Sequence, residues 1–390
     1  MGTGIRDMRD IVTFDWPRNP FPGLRPFRED EALIFYGRNS HKDEVLARLN
    51  NSQLVFVTGP SGCGKSSLIK AGVLPALQAG LLTKAGYHWK TLQMRPGRRP
   101  LANLAAAFKS TQSEADIEGE DRQALDTILK DEGSGLWLAA SAIAPLQKTS
   151  AADKAPVRLL LLIDQFEEIF GEQIQEPADV DHFVRLLVRF SERPHPNLFI
   201  IVTLRSDYLG QCANFEGLAE SINRTQFLTP VLTQDELGQA IARPAEDYNG
   251  DVEPQLVEQI IRDMRTGTAY HPDSLPLMQH ALLWMWSKAW MESGATEPPR
   301  PPFNDGSTRT QLTLKSYQDN GGIEGILDRH AEDVLRQAVG ESEKSRAIAE
   351  SLFRRLSERD SEGRYRRSPT SSESLCSIAG CELEELQHVI

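Results

Sequence analysis

One octapeptide constrains this chain more than any other stretch. Gly59, Pro60, Ser61, Gly62, Cys63, Gly64, Lys65 and Ser66 follow the apolar run "QLVFVT" and precede the helical pattern "SLIKAGVLPAL". They fit G-x-x-x-x-G-K-[ST], a loop whose backbone N–H groups converge on phosphate oxygens. Glycines permit turns that a side chain would block, and the helix that starts at Lys65 adds its positive end. Lys65 is expected to reach the outer phosphates, Ser66 to ligate Mg²⁺, and Ser67 to bond an α-phosphate oxygen. Such a loop needs a strand before it and a helix after it, and this sequence supplies both.

The same logic finds the rest of the edge. "RLLLLIDQFEEIF" is the most apolar strand candidate, and it ends in Asp164. A carboxylate there falls at the C-terminal edge of a parallel sheet, where ligands of open α/β sheets bind. Asp164 is therefore a second Mg²⁺ candidate. Hydrolysis also needs a base or a water-orienting group, and Glu167 and Glu168 are the candidates. "NLFIIVTLRSD" is another buried strand, and Arg205 at its end is placed to sense or neutralise a γ-phosphate. Alternating strands and helices with unbroken apolar runs predict a parallel sheet flanked by helices.

Helices alone follow, in "TQDELGQAIARPAEDY", "EPQLVEQIIRDMRT" and "SLPLMQHALLWMWSKAW". The expected division is an irregular Pro- and Arg-rich segment over 1–30, a phosphate-loop domain over 31–231 and a helical lid over 232–295. A Pro-rich linker over 296–322 and a helical domain over 323–390 complete it. Within the 31–231 domain, "SHKDEVLARL" predicts a helix capped by Ser40. In the lid, Trp284, Trp286 and Trp290 cannot share one helix face, so Trp286 and Trp290 are expected to pack on neighbours.

Charge and composition narrow the functions. The chain has 390 residues and a net charge of -12, a poor generic match to a phosphate backbone. No apolar run reaches membrane-spanning length, and "MGTGIRDMRD" lacks a signal-peptide core. Arg6 stands where a myristoylation signal wants Ser or Thr. Cys63, Cys212, Cys376 and Cys381 match no zinc spacing and read as free thiols of a cytoplasmic protein.

Seven blocks together resemble a known family. "NPFPGLRPFREDEALIFYGRNSHKDEVLARL", "VTGPSGCGKSSLIKAGVLPAL", "LLLIDQFEEIF", "VTLRSDYLG", "LTQDELGQAIARPAE", "SLPLMQHALLWMW" and "GGIEGILDRHAEDVL" stand in the order seen in the first "novel STAND" subfamily. These are signal-transduction ATPases with numerous domains, related to AAA+ proteins. The resemblance implies a P-loop NTPase domain, an all-helical lid and, from about residue 340, part of a winged-helix module cut off at the chain end. It implies that Tyr36, Gly37 and Arg38 lie against adenine. It favours Glu168 as the catalytic carboxylate, puts Arg205 at the sensor-one position, and sets Pro276 against the base with Ser274 where glycine is usual. A winged-helix histidine often touches ADP in this family, but neither His330 nor His388 falls in a recognisable motif.

The resemblance further implies a switch set by ATP or ADP with Mg²⁺. ADP would hold it closed, ATP would drive self-association, and slow hydrolysis would reset it. Such proteins serve regulation, cell death or defence against phage, with effector and sensor modules outside this chain. The alternative is an AAA+-like ATPase that acts on nucleic acid through its winged helix, motivated by Arg354, Arg355, Arg359, Arg364, Arg366 and Arg367. Glu358, Asp360 and Glu362 interleave with those arginines, so a salt-bridged face or an interdomain latch is expected there instead. A third reading, a scaffold with structural nucleotide, fits poorly with Lys65, Ser66, Asp164, Glu168 and Arg205 all present. A helicase or metabolic kinase would need substrate elements that the sequence lacks.

Overall fold

Strands β1 (Leu54–Gly59), β2 (Trp89–Met94), β3 (Arg158–Ile163), β4 (Leu198–Arg205) and β5 (Gln226–Leu228) form one sheet in the order β2-β3-β4-β1-β5. Every neighbouring pair is parallel. The computed structural model describes residues 16–81, 88–110, 129, 131, 134–143, 157–171, 174–266, 269–270, 273–292, 301, 309–340, 342–359, 365–367 and 370–389. The chain divides into two compact units, Met1–Ser316 and Tyr317–Ile390.

The unbroken apolar runs of β1, β3 and β4 have a simple cause. Side chains alternate across a strand, so a sheet covered on both faces needs both parities apolar. Leu54, Phe56, Leu159, Leu161, Ile163, Leu198, Ile200 and Val202 enter one core layer. Val55, Val57, Leu160, Leu162, Phe199 and Ile201 enter the other. Helices Pro100–Lys109 and Pro177–Glu192 cover the first face, and Asn39–Ser52 with the helix after the loop covers the second. Each fully buried Leu or Ile contributes about 1.5–3 kcal/mol of transfer free energy.

Two local expectations change. Helix Asn39–Ser52 starts one residue before Ser40, and no side chain caps it. The helix after the phosphate loop is not uniform. Lys65–Ser67 is α-helical, Leu68–Val73 is a π-helical turn, and Leu74–Gln78 is α-helical again.

In the lid region, helices Gln234–Asp247, Pro254–Asp263 and Ser274–Glu292 form as expected. The first has a capping box between Thr233 and Glu236, which fixes its start, and it carries Pro244 in its interior. The expectation of helices alone is incomplete. Gly250–Val252 pairs in parallel with Thr310–Leu312, a segment read as linker, and Arg265–Thr266 pairs with Ala269–Tyr270. These strands are two or three residues long, and the first pair joins segments far apart in sequence. No local pattern announces such pairing. Trp286 is fully buried and meets Phe21 and Tyr248 edge-on, whereas Trp284 is half-buried beneath Lys288.

Residues 16–38 form a strap over the first unit. Tyr248 donates its hydroxyl to the Pro17 carbonyl at 2.6 Å, and Phe21 is buried against Trp286. Farther on, the Phe27 amide donates to Ser67 Oγ at 3.2 Å. The strap thus touches both Tyr248 with helix Ser274–Glu292 and the helix after the loop. Residues 1–15, 293–300 and 302–308, covering parts of the predicted N-terminal and Pro-rich stretches, lie outside the described residues.

In the second unit, helices Glu343–Leu356, Ser372–Ala379 and Leu383–Val389 pack around Ile348, Leu352, Leu375 and Leu386. Ser357–Arg359 and Tyr365–Arg367 pair antiparallel. Arg354 sits 3.8 Å from Glu350. The side chains of Arg359, Arg364, Arg366, Arg367 and His388 lie outside the described residues, and His330 is exposed on helix Gly322–Val339.

Candidate functional site

The sheet register brings the predicted residues to one edge. Gly59, the last residue of β1, is level with Arg205, the last of β4. Asp164 follows β3, and its amide donates to the Met94 carbonyl at the end of β2. Gly62 (φ +69°) and Gly64 (φ +92°) take the left-handed backbone that turns the loop.

Asp164 is 4% exposed and fully engaged. Its Oδ1 accepts from Ser66 Oγ at 2.8 Å and from Thr203 Oγ1 at 2.7 Å, and its Oδ2 accepts from Lys70 Nζ at 2.8 Å. Burial alone would raise this carboxyl, but the bond and charge of Lys70, with Thr203 and Ser66, outweigh it and hold it below the usual range. Asp164 therefore stays ionised, a requirement for a cation ligand. The adjacent Ser66 hydroxyl and Asp164 carboxylate are hard oxygen donors that fit Mg²⁺ shared with phosphates. No cluster of three His, Cys, Asp or Glu side chains suited to a metal occurs among the described residues.

Lys65 is buried, and its Nζ donates to the Gly59 and Pro60 carbonyls at 2.8 Å each. Cys63 Sγ lies 3.8 Å from that ammonium. Glu167 Oε2 accepts from the Arg205 amide at 3.2 Å. Burial pushes the Glu167 carboxyl above the usual range, offset in part by its own and the Arg205 backbone N–H groups and by the charges of Lys65 and Arg205. Glu168 points elsewhere, its Oε2 accepting from the Gly97 amide at 2.8 Å. The Arg205 guanidinium pairs with Asp207 at 2.5 Å and lies over the Tyr208 ring.

The "FYGR" segment is a junction. Arg38 is buried and donates to the Cys63 carbonyl at 2.8 Å and the Pro230 carbonyl at 2.7 Å, which ties the loop to the chain after β5. Gly37 (φ +82°) lies so close to helix Gln234–Asp247 that a Cβ there would meet the Glu236 carbonyl oxygen at 2.4 Å. Tyr36 donates to Asp247 at 2.6 Å, and burial together with that carboxylate pushes its hydroxyl up to about 12.

The start of helix Ser274–Glu292 also reaches the phosphate loop. Ser61 Oγ donates to Asp273 Oδ1 at 3.1 Å, and a Cβ on Gly62 would fall 2.5 Å from the Asp273 Cα. Leu275 approaches Gly64, and Pro276 is half-buried in the first turn of helix Ser274–Glu292. The left-handed residue before this helix is Asp273 (φ +63°), one position before Ser274.

Sequence reasoning missed Lys70, Thr203 and Asp273. Lys70 sits inside the π-helical turn, where 3.6-residue spacing no longer tells which way a side chain points. Thr203 carried a signal: a hydroxyl near the end of a buried apolar strand, level with the residue after its neighbour's last pair.

The protein-family model described as Novel STAND NTPase 1 matches residues 20–389. No curated protein matches the chain. Among solved structures, the ORC2 protein of Aeropyrum pernix, in ADPNP-ADP complexes, is similar at 15% identity over 98% of each chain, with a TM-score of 0.46. The ORC1 protein of Aeropyrum pernix in complex with DNA is similar at 12% identity, over 91% of this chain and 82% of that one, with a TM-score of 0.45. A Walker-type ATPase of Pyrococcus abyssi matches at 14% identity over 94% and 92%, with a TM-score of 0.44.

Proposed function

The chain belongs to the Novel STAND NTPase 1 family, and on that footing we propose that it is the nucleotide-operated core of a cytoplasmic signalling switch. ADP favours the lid-closed form, ATP favours self-association, and slow Mg²⁺-dependent ATP hydrolysis resets the cycle. Regulation, cell death or defence against phage would follow through effector and sensor modules outside this chain. The observation that carries the reading is the lid seated on the phosphate loop, with Asp273 against Ser61 and Gly62. A nucleotide between two elements of one unit biases their packing, and that is the physics of a two-state switch.

The residues divide the work. The loop amides and Lys65 would hold the phosphates, while Ser66 and Asp164 would hold Mg²⁺, which when bound would supply neutralisation of phosphate charge. Lys70 and Thr203 orient Asp164 from behind. Glu167 is placed to orient or deprotonate the attacking water, its raised carboxyl suiting it to take a proton. Glu168, on the Gly97 amide, holds the β3 turn against the chain after β2. Arg205 reaches a γ-phosphate by exchanging Asp207 for it. Tyr36, Gly37, Arg38 and Pro276 frame the base side. Direct action on nucleic acid is not favoured, because the net charge is -12.

Cys63 gives a direct test of nucleotide placement. Its thiol lies on the loop beside the Lys65 ammonium. Saturating ADP is expected to slow Cys63 alkylation by iodoacetamide about tenfold, read by peptide mass spectrometry, with Cys376 as the internal reference. Equal alkylation with and without ADP would remove the nucleotide from this loop.

A further inference from the structure

The lid meets the phosphate loop with Leu275 near Gly64 and with the acidic Asp273 at Ser61 and Gly62. The Asp273 carboxylate accepts from Ser61 Oγ at 3.1 Å, and its Oδ1 lies 2.5 Å from where a Gly62 Cβ would stand. Its backbone is left-handed at φ +63°, a conformation that L-residues other than glycine, Asn and Asp seldom adopt. An acid is thus held against a loop built to receive anions.

The end of the nucleotide that it faces follows from the loop itself. Ser67, assigned to the α-phosphate, lies on the helix side. Lys65 reaches the outer phosphates, and its Nζ rests on the Gly59 and Pro60 carbonyls, next to Ser61. The loop crest at Ser61 and Gly62 therefore lies toward the outermost phosphate. A triphosphate brings more negative charge to that place than a diphosphate does.

We propose that Asp273 discriminates between the two nucleotides: its carboxylate on the loop crest repels a γ-phosphate, so the lid-closed form takes a nucleoside diphosphate. This rests on the reading of the loop as a nucleotide site. Asp273 is exposed, so solvent and salt screen the repulsion.

The test uses the full chain, with ADP and a non-hydrolysable ATP analogue competing against a fluorescent ADP. Asp273→Asn removes the charge at nearly constant shape, and Asp273→Gly also frees the backbone. Both are expected to tighten the analogue about 3- to 10-fold relative to ADP, and the gain should shrink as salt rises. If the wild type binds both nucleotides and neither variant changes their ratio, the inference is wrong and the nucleotide site stands. A salt-independent gain confined to Asp273→Gly assigns the effect to the backbone and overturns it as well. If the wild type binds neither nucleotide, the reading of the loop falls and takes this inference with it.

Discussion

Glu167→Gln is expected to slow single-turnover ATP hydrolysis about 100- to 10,000-fold, the range for loss of a general base, while ATP affinity changes less than about threefold. The argument is positional. Glu167 lies under the Arg205 amide, within the field of Lys65 and Arg205, and burial raises its carboxyl. Glu168, one residue later, is spent on Gly97. Glu168→Gln keeps a side-chain oxygen that can accept from that amide, so a loss below about tenfold is expected. A larger loss from Glu168→Gln than from Glu167→Gln would return the catalytic role to the residue that family resemblance favours.

Lys65→Ala should weaken both ADP and ATP about 10- to 100-fold, the scale of a lost hydrogen bond to a charged group. Its ammonium now bonds two carbonyls of its own loop, and a bound nucleotide would replace them with phosphate oxygens. The readout is thermal. A ligand at a hundredfold excess over its Kd stabilises the folded state by about 2.7 kcal/mol, so ADP should raise the wild-type Tm by several degrees. In Lys65→Ala the same ADP concentration leaves only about 0.4–1.4 kcal/mol, so the rise should be at most about half as large. An equal rise in both proteins would place the nucleotide elsewhere.

Much of this was legible because parallel central strands and glycine loops have strict local requirements. β1, β3 and β4 announce themselves as unbroken apolar runs, and the residue at the end of each is fixed by the register. That alone brought Gly59, Asp164 and Arg205 to one edge. What stayed hidden depends on tertiary context. Lys70 reaches Asp164 through a π-helical turn. Asp273 holds a backbone conformation that composition would assign to glycine. Glu167 and Glu168 are adjacent acids that only the fold of the turn after β3 can tell apart.

The central claim is that nucleotide identity sets the assembly state, and the molar mass of the purified chain by light scattering tests it most directly. The account predicts a monomer in ADP, a larger species of defined mass in a non-hydrolysable ATP analogue with Mg²⁺, and a monomer in both for Lys65→Ala. One and the same mass for the wild type in ADP and in the analogue would contradict it.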